Sequence, residues 1–382
     1  MKILQVIQFF TPARGGSVSV AYNLSKELAM NGHEVTIITT DFEFDHNYAD
    51  SIRNSGVNVI PFKCFMNLSL FLYSPTMKKW LENNIESFDI IHMHNFRTYQ
   101  NNVVHYYARK FNIPYIMQAH GSVMEFVRKK SLKKIYDVIW GYKLLKDAKK
   151  VVAVSNIEVD QYKEMGVSND FIEIIPNPVD ISKFKRSPNG AFRRENGIAD
   201  NFKVILFLGR LNKTKGIDFL IKAFKTLLKD MENVILVIAG PEESYGKKLE
   251  EMVKKLDITD NVMFVGHVKN VSEAYSAADV LVYPSIYEIF GLVPFEALLC
   301  GTPVIVTEEC ACGEIINEAG CGLLVKYGDV EDLKDKIKYV LTSSNETNER
   351  VEKGKKYIFN NLNKEIIVKN MENLYRAVIS YK

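Results

Sequence analysis

The chain has 382 residues, 47% hydrophobic and 25% charged, the balance of an ordinary globular protein, which excludes long disordered or fibrous tracts. Its length calls for two cores of roughly 150–200 residues each. Its 49 Lys and Arg against 46 Asp and Glu leave a formal charge of only +3, too little for a surface that coats nucleic acid.

Five cysteines with no C-x-x-C pair give neither a disulfide framework nor a zinc site, so a reducing, cytoplasmic setting is expected. The apolar opening MKILQVIQFF runs into Thr11-Pro12 without a small-residue cleavage pattern, and no window approaches the ~18 uninterrupted apolar residues of a spanning helix. Neither secretion nor a membrane span is expected.

In chain order, β-branched runs predict strands at 2–10, 33–40, 57–62, 89–94, 114–120, 150–155 and 172–176, with helical periods such as 17–30 and 98–111 between them. Residues 178–201, rich in proline and charge, read as a linker between an N-terminal domain (1–177) and a second domain (202–362). There the alternation restarts, with strands at 202–208, 234–239, 261–265, 279–284, 302–306 and 321–325. The chain then turns purely helical, and 363–382 reads as a C-terminal helix free to pack on either domain. The fold class is α/β, two Rossmann-like doubly wound parallel-sheet domains facing a cleft. Ligands in such sheets bind beyond the carboxyl ends of the strands.

Three stretches sit at such ends. Gly15-Gly16 follows the first strand and opens a helix, where backbone N–H groups attract anions. The plain alternative is a tight turn, and neither a G-x-G-x-x-G nor a Walker sequence occurs. In FLGRLNKTKG, Arg210 and Lys215 follow the first strand of the second domain and suit a diphosphate, or are simply solvated loop cations. In YEIFGLVPFEALLCGTPVI, Glu288 lies on the loop after a strand, Gly291 turns the backbone, and Glu296 falls in the first turns of a helix. The N–H groups of Gly291, Leu292 and Val293 are placed to receive phosphate oxygens, and Glu296 to accept ribose hydroxyls. Burying a carboxylate is costly without a partner; the expected partners are ligand hydroxyls together with Arg210 and Lys215.

Glu288 and Glu296 match the E-x7-E motif of retaining glycosyltransferase family 4, and YPSIYEIFGLVPFEALLCGTPVI resembles that family's donor-site block. FLGRLNKTKG is similar to its basic phosphate loop, RGGS to its N-terminal glycine loop, and IIPNPVD to its interdomain hinge. The resemblance implies a GT-B architecture and a nucleotide diphosphate sugar held mainly by the second domain. Position by position it implies Arg210 and Lys215 on the diphosphate, Glu296 on the ribose and Glu288 on the donor sugar. His120, in IMQAHGS, matches the family's active-site histidine. The sequence departs from the usual E-G-F-G at Ile289.

His92 and His94 alternate on one strand face and, with His120, suggest a metal site; no adjacent carboxylate and no D-x-D sequence support it, so no catalytic metal and no cofactor are expected. The stretch Phe126–Lys150 carries nine Lys or Arg against Asp137 and Asp147, with apolar residues interleaved. It reads as a solvated basic face or as a contact for an anionic membrane surface. The expected function is a metal-independent, retaining hexosyltransferase acting on a glycan or lipid-linked acceptor, cytoplasmic or at the inner face of the membrane. The alternatives are a non-catalytic nucleotide-sugar-binding or chaperone subunit, and a phosphorylase or epimerase on the same fold.

Overall fold

A computed structural model describes residues 1–68, 71–123, 130–187, 190–243 and 245–380. The chain forms two compact units, Met1–Asn177 joined by Glu365–Lys382, and Pro178–Lys364.

The first unit is built on β1 (Lys2–Val6), β2 (Glu34–Thr40), β3 (Asn58–Phe62), β6 (Ile90–His94), β7 (Tyr115–Gln118), β8 (Lys150–Ala153) and β9 (Ile172–Ile174), with a small antiparallel hairpin of β4 (Met66–Leu68) and β5 (Phe71–Tyr73) outside the sheet. The sheet runs β3-β2-β1-β6-β7-β8-β9, with every pairing parallel. Its strands are nearly continuous apolar runs because helices cover both faces. The direction of winding reverses between β1 and β6, and loops that follow strands beside such a reversal diverge and leave a crevice.

The C-terminal helix, Lys364–Ser380, belongs to this first core. Its Ile367, Val368, Met371, Leu374, Tyr375 and Val378 are buried against β1, β2 and the Gly16–Met30 helix.

The second unit holds β10 (Lys203–Leu208), β11 (Val234–Ala239), β12 (Val262–Gly266), β13 (Val280–Tyr283), β14 (Val304–Thr307) and β15 (Leu323–Val325), in the order β12-β11-β10-β13-β14-β15 and again wholly parallel. Here the reversal falls between β10 and β13.

The stretch 178–201, read as a linker, is grouped with the second unit. Phe192 and Ile198 are buried, and Arg193 bonds the Ala277 carbonyl and the Asp279 carboxylate, so the segment is packed into the second unit. Proline content signalled the irregular path but not the anchoring side chains.

Candidate functional site

The loops after β10 and β13 are locked together before any side chain meets. Gly216 takes a left-handed conformation (φ 64°), and a Cβ there would overlap the Pro284 carbonyl oxygen; only glycine lets the two backbones touch. The Thr214 carbonyl accepts from the Ile286 N–H at 2.8 Å and the Ser285 hydroxyl at 3.0 Å. The Glu288 carbonyl accepts from the Ala311 N–H at 3.0 Å, which ties the second loop to the helix after β14.

This scaffold brings Lys215 onto Glu288. Lys215 is only 8% exposed; its Nζ donates to the Tyr283 hydroxyl at 3.0 Å and pairs with Glu288 Oε2, which also accepts from the Tyr283 hydroxyl at 2.8 Å. Burial, and then the Glu288 charge, hold the Tyr283 phenol well above its ordinary range, so it stays a donor. The Glu288 side chain keeps a quarter of its surface exposed, which leaves it open to a ligand.

Gly291 (φ 76°) turns the chain just beyond. A Cβ there would come within 3.0 Å of Glu288 Cγ and 3.2 Å of Cys312 Sγ, so this glycine also sets the carboxylate's position. The N–H groups of Gly291, Leu292 and Val293 precede the Val293–Leu299 helix and have no hydrogen-bond partner among the described residues. Ile289, the departure from the usual glycine, is buried.

The other two charged residues are held differently from the expectation. Arg210 is 62% exposed and donates to Glu243 at 2.7 Å, with Asn212 bonding the same carboxylate at 3.0 Å. Burial acts to raise the Glu243 pKa, but these hydrogen bonds outweigh it and hold the carboxyl below its ordinary range. Glu296 accepts from the Tyr275 hydroxyl at 2.8 Å. Burial raises its pKa, opposed by that bond and by the Lys183 charge. Of the expected carboxylate partners, Lys215 thus serves Glu288 alone, while Arg210 serves neither glutamate. Tyr275, Tyr283 and Glu243 were missed because their roles depend on strand and helix register rather than on a local motif.

In the first unit, Gly15 (φ 86°) and Gly16 begin the Gly16–Met30 helix, and a Cβ on either would meet nothing within 4 Å. No packing demand explains Gly16. Arg14 beside them is bound through two bonds of 2.6 Å to Glu43.

His120 follows β7 in a left-handed conformation (φ 52°), and its Nε2 lies 2.9 Å from His94 Nδ1. His94 Nε2 is 2.7 Å from Gln5 Oε1, Gln5 Nε2 donates to the Tyr375 hydroxyl at 3.2 Å, and that hydroxyl lies 2.7 Å from His92 Nδ1. A carbonyl oxygen can only accept, so His94 carries its proton on Nε2 and accepts at Nδ1. His120 therefore donates from Nε2 and keeps a lone pair on Nδ1. Burial pushes His120 and His92 down to about 3, and His94 well below its ordinary value, so all three rings are neutral near pH 7. His120 and His94 are thus bonded directly, and the network reaches His92 only through Gln5 and Tyr375.

The His120 turn is anchored by Glu158, which no motif indicated. It is fully buried and accepts from the Gly121 N–H at 2.5 Å and the Val154 N–H at 2.9 Å. Burial lifts its pKa from 4.5 to about 7 despite those bonds. Its folded pKa is raised, so its contribution to stability is complete below about 4.5 and is lost as pH rises through 7, on the order of 3 kcal/mol over that span. The histidines work in the opposite sense, losing stability as pH falls below their ordinary value, but they do so equally in a Glu158→Gln variant. Both Glu158 oxygens accept from backbone N–H groups, so the amide nitrogen of the variant meets a donor and the variant should melt lower than the parent at pH 5. That gap should narrow towards pH 8, and parallel Tm curves would show that Glu158 does not titrate there.

The comparisons with known proteins agree with this architecture. The family described as Glycosyltransferase Family 4 matches residues 14–183, and that described as Glycosyl transferases group 1 matches residues 189–357. An uncharacterized glycosyltransferase of Methanocaldococcus jannaschii is 28% identical over 99% of this chain and 99% of its own. The alpha-monoglucosyldiacylglycerol synthase of Streptococcus pneumoniae is 28% identical over 94% of this chain and 82% of its own. Among solved structures, HepE of Anabaena, in complex with UDP, superposes with a TM-score of 0.82 at 20% identity, covering 99% of this chain and 100% of that one. One family profile falls on each parallel-sheet unit, in the order that the motifs occupy, and the chain belongs to glycosyltransferase family 4, with the two Rossmann-like domains of the GT-B fold.

Proposed function

We propose that this glycosyltransferase takes a nucleotide diphosphate sugar as donor and transfers the sugar, with retention and without a metal ion, to a glycan or lipid-linked acceptor of cell-surface polysaccharide or glycolipid synthesis. The observation that carries the reading is the buried Lys215–Tyr283–Glu288 cluster at the winding reversal of the second sheet. A cation, a phenol, a carboxylate and three N–H groups without hydrogen-bond partners among the described residues suit a pyrophosphate joined to a hydroxyl-rich ring.

Lys215 and the N–H groups of Gly291, Leu292 and Val293 offset the charge that grows on the departing diphosphate. Arg210 joins them by exchanging Glu243 for phosphate, a trade that its exposure allows. Glu296 accepts from the ribose hydroxyls, and Glu288 orients the transferred sugar. His120 is neutral and contributes a hydrogen-bond acceptor at Nδ1, while Gly15 and Gly16 leave room for a ligand to approach the backbone of the first unit. HepE, solved with UDP and with UDP-glucose, supports a nucleoside diphosphate as the bound group. The lipid named for the Streptococcus pneumoniae relative supports a glycolipid acceptor. Five free cysteines fit the cytoplasm.

A thermal-shift series over nucleoside diphosphates tests the donor site, since a ligand bound only by the native state raises Tm. One of them, UDP first, should raise it by several degrees. Glu288→Gln should leave the fold intact, at some cost in Tm because the buried Lys215 loses its counter-charge, and lower turnover by more than tenfold. Nucleotide binding without release from any nucleotide sugar, even with extract acceptors present, would instead assign a non-catalytic binding role.

A further inference from the structure

One face of the first unit takes no part in the chemistry above. Between β7 and β8, the Lys130–Tyr136 helix, a π turn at Asp137–Gly141 and the Tyr142–Asp147 helix run on from one another. Of the basic stretch Phe126–Lys150, residues 126–129 lie outside the described residues, and nothing below uses them. Tyr136, Asp137, Gly141, Leu144 and Leu145 point inward. Along the π turn and the helices beside it, Leu132, Ile135, Val138, Ile139, Trp140 and Tyr142 stand 43–68% exposed. Gly141 permits the close approach, because a Cβ there would lie 2.7 Å from Asp137 Oδ1 and 3.0 Å from Phe96 Cζ.

The charges divide in the same way. Both acids of the segment are taken up internally: Asp137 is buried and held by two bonds from Arg97 at 2.9 and 2.7 Å, and Asp147 pairs with His105 at 2.9 Å and Arg109 at 3.0 Å. The exposed charged residues from 131 to 150 are all lysines: Lys134, Lys143, Lys146 and Lys149. Beside the π turn, a cavity of about 480 Å³ opens against the Tyr99–Lys110 helix, with Arg109, Lys110 and Lys143 around it and Ile139 and Trp140 in its wall. Two acids stand beside those cations, Asp147 at 3.0 Å from Arg109 and Glu82 at 3.4 Å from Lys110.

Six large apolar side chains exposed together, with a rim in which lysine and arginine outnumber the acids, are costly in water and fit a surface that is apolar within and anionic at its border. We propose that this face docks on an anionic lipid bilayer, with Ile135, Val138 and Ile139 entering the acyl boundary, Trp140 at the interface and a headgroup phosphate in the cavity between Lys143 and Arg109. A soluble phosphate would need no apolar wall, and a nucleic acid would have no use for the exposed isoleucines. The inference does not rest on the proposed donor or acceptor, because docking is read with no nucleotide sugar present, so its failure and theirs are distinguishable.

The test is co-sedimentation of the full chain with phosphatidylcholine vesicles, with and without phosphatidylglycerol, while tryptophan emission is followed. Of the two tryptophans, Trp80 packs on Phe62 and Phe88 and gives a constant background. The protein should pellet with the anionic vesicles, with a blue shift from Trp140, and much less with phosphatidylcholine alone. At about 1 kcal/mol per surface cation, K134E/K143E should lower the partition by about tenfold or more at unchanged Tm. Val138→Ser with Ile139→Ser should abolish the blue shift. Failure to pellet with anionic vesicles, equal pelleting of the K134E/K143E protein, or a Tm raised by inorganic phosphate without vesicle binding would each overturn the proposal.

Discussion

Lys215→Ala should lower sugar transfer by about a thousandfold, the upper end of what removing one preorganised donor from a developing charge costs. Among the described residues, no other cation of the second unit touches both Tyr283 and Glu288. Lys215 is buried in place, whereas Arg210 reaches the phosphate only by giving up Glu243. The change also leaves the Glu288 carboxylate with the Tyr283 hydroxyl alone. Breaking a fully buried pair costs about 3–5 kcal/mol, but Glu288 is a quarter exposed, so a loss of about 1–2 kcal/mol is expected. Initial rates and thermal melts on the same preparation separate the two effects. A variant that melts lower yet transfers at the parental rate would make Lys215 a structural residue.

Ending the chain after Lys364 should unfold the first unit. The deleted helix contributes six buried apolar side chains, each worth about 1.5–3 kcal/mol. Their sum is on the order of 10 kcal/mol, as large as the whole stability of an ordinary domain. The deletion also strips the Tyr375 hydroxyl from Gln5 and His92, deep in the sheet. Limited proteolysis should then degrade residues 1–177 while the second unit, whose core is its own, resists. Equal protection of both would show that the helix is dispensable.

Much of this organisation was legible in the sequence because parallel strands buried on both faces are written as short β-branched runs. Val234–Ala239 coincides with its expected span, and most other strands are trimmed by one to four residues. The hairpin Met66–Leu68 and Phe71–Tyr73 was not legible, since three-residue strands show no period. At the site, motif spacing put Lys215, Glu288 and Gly291 on loops at strand ends. It could not give the partners that depend on register. Arg210 meets Glu243 because β10 and β11 lie side by side, and Glu296 meets Tyr275 from a preceding helix. Gln5 and Tyr375 are 370 residues apart in sequence, beyond the reach of any local pattern. Glu158 looked like an ordinary helix residue until its two backbone donors came into view.

The first unit is discontinuous, opened by residue 1 and closed only by the last turns of the chain. During synthesis, residues 178–364 emerge in full while the N-terminal sheet still lacks its final covering. The domain made second can therefore complete its fold first, and the domain made first waits with an apolar groove open on one face. Translational pausing or early chain release near residue 364 would strand that half-finished sheet, and this is the stage at which a chaperone would have most to hold.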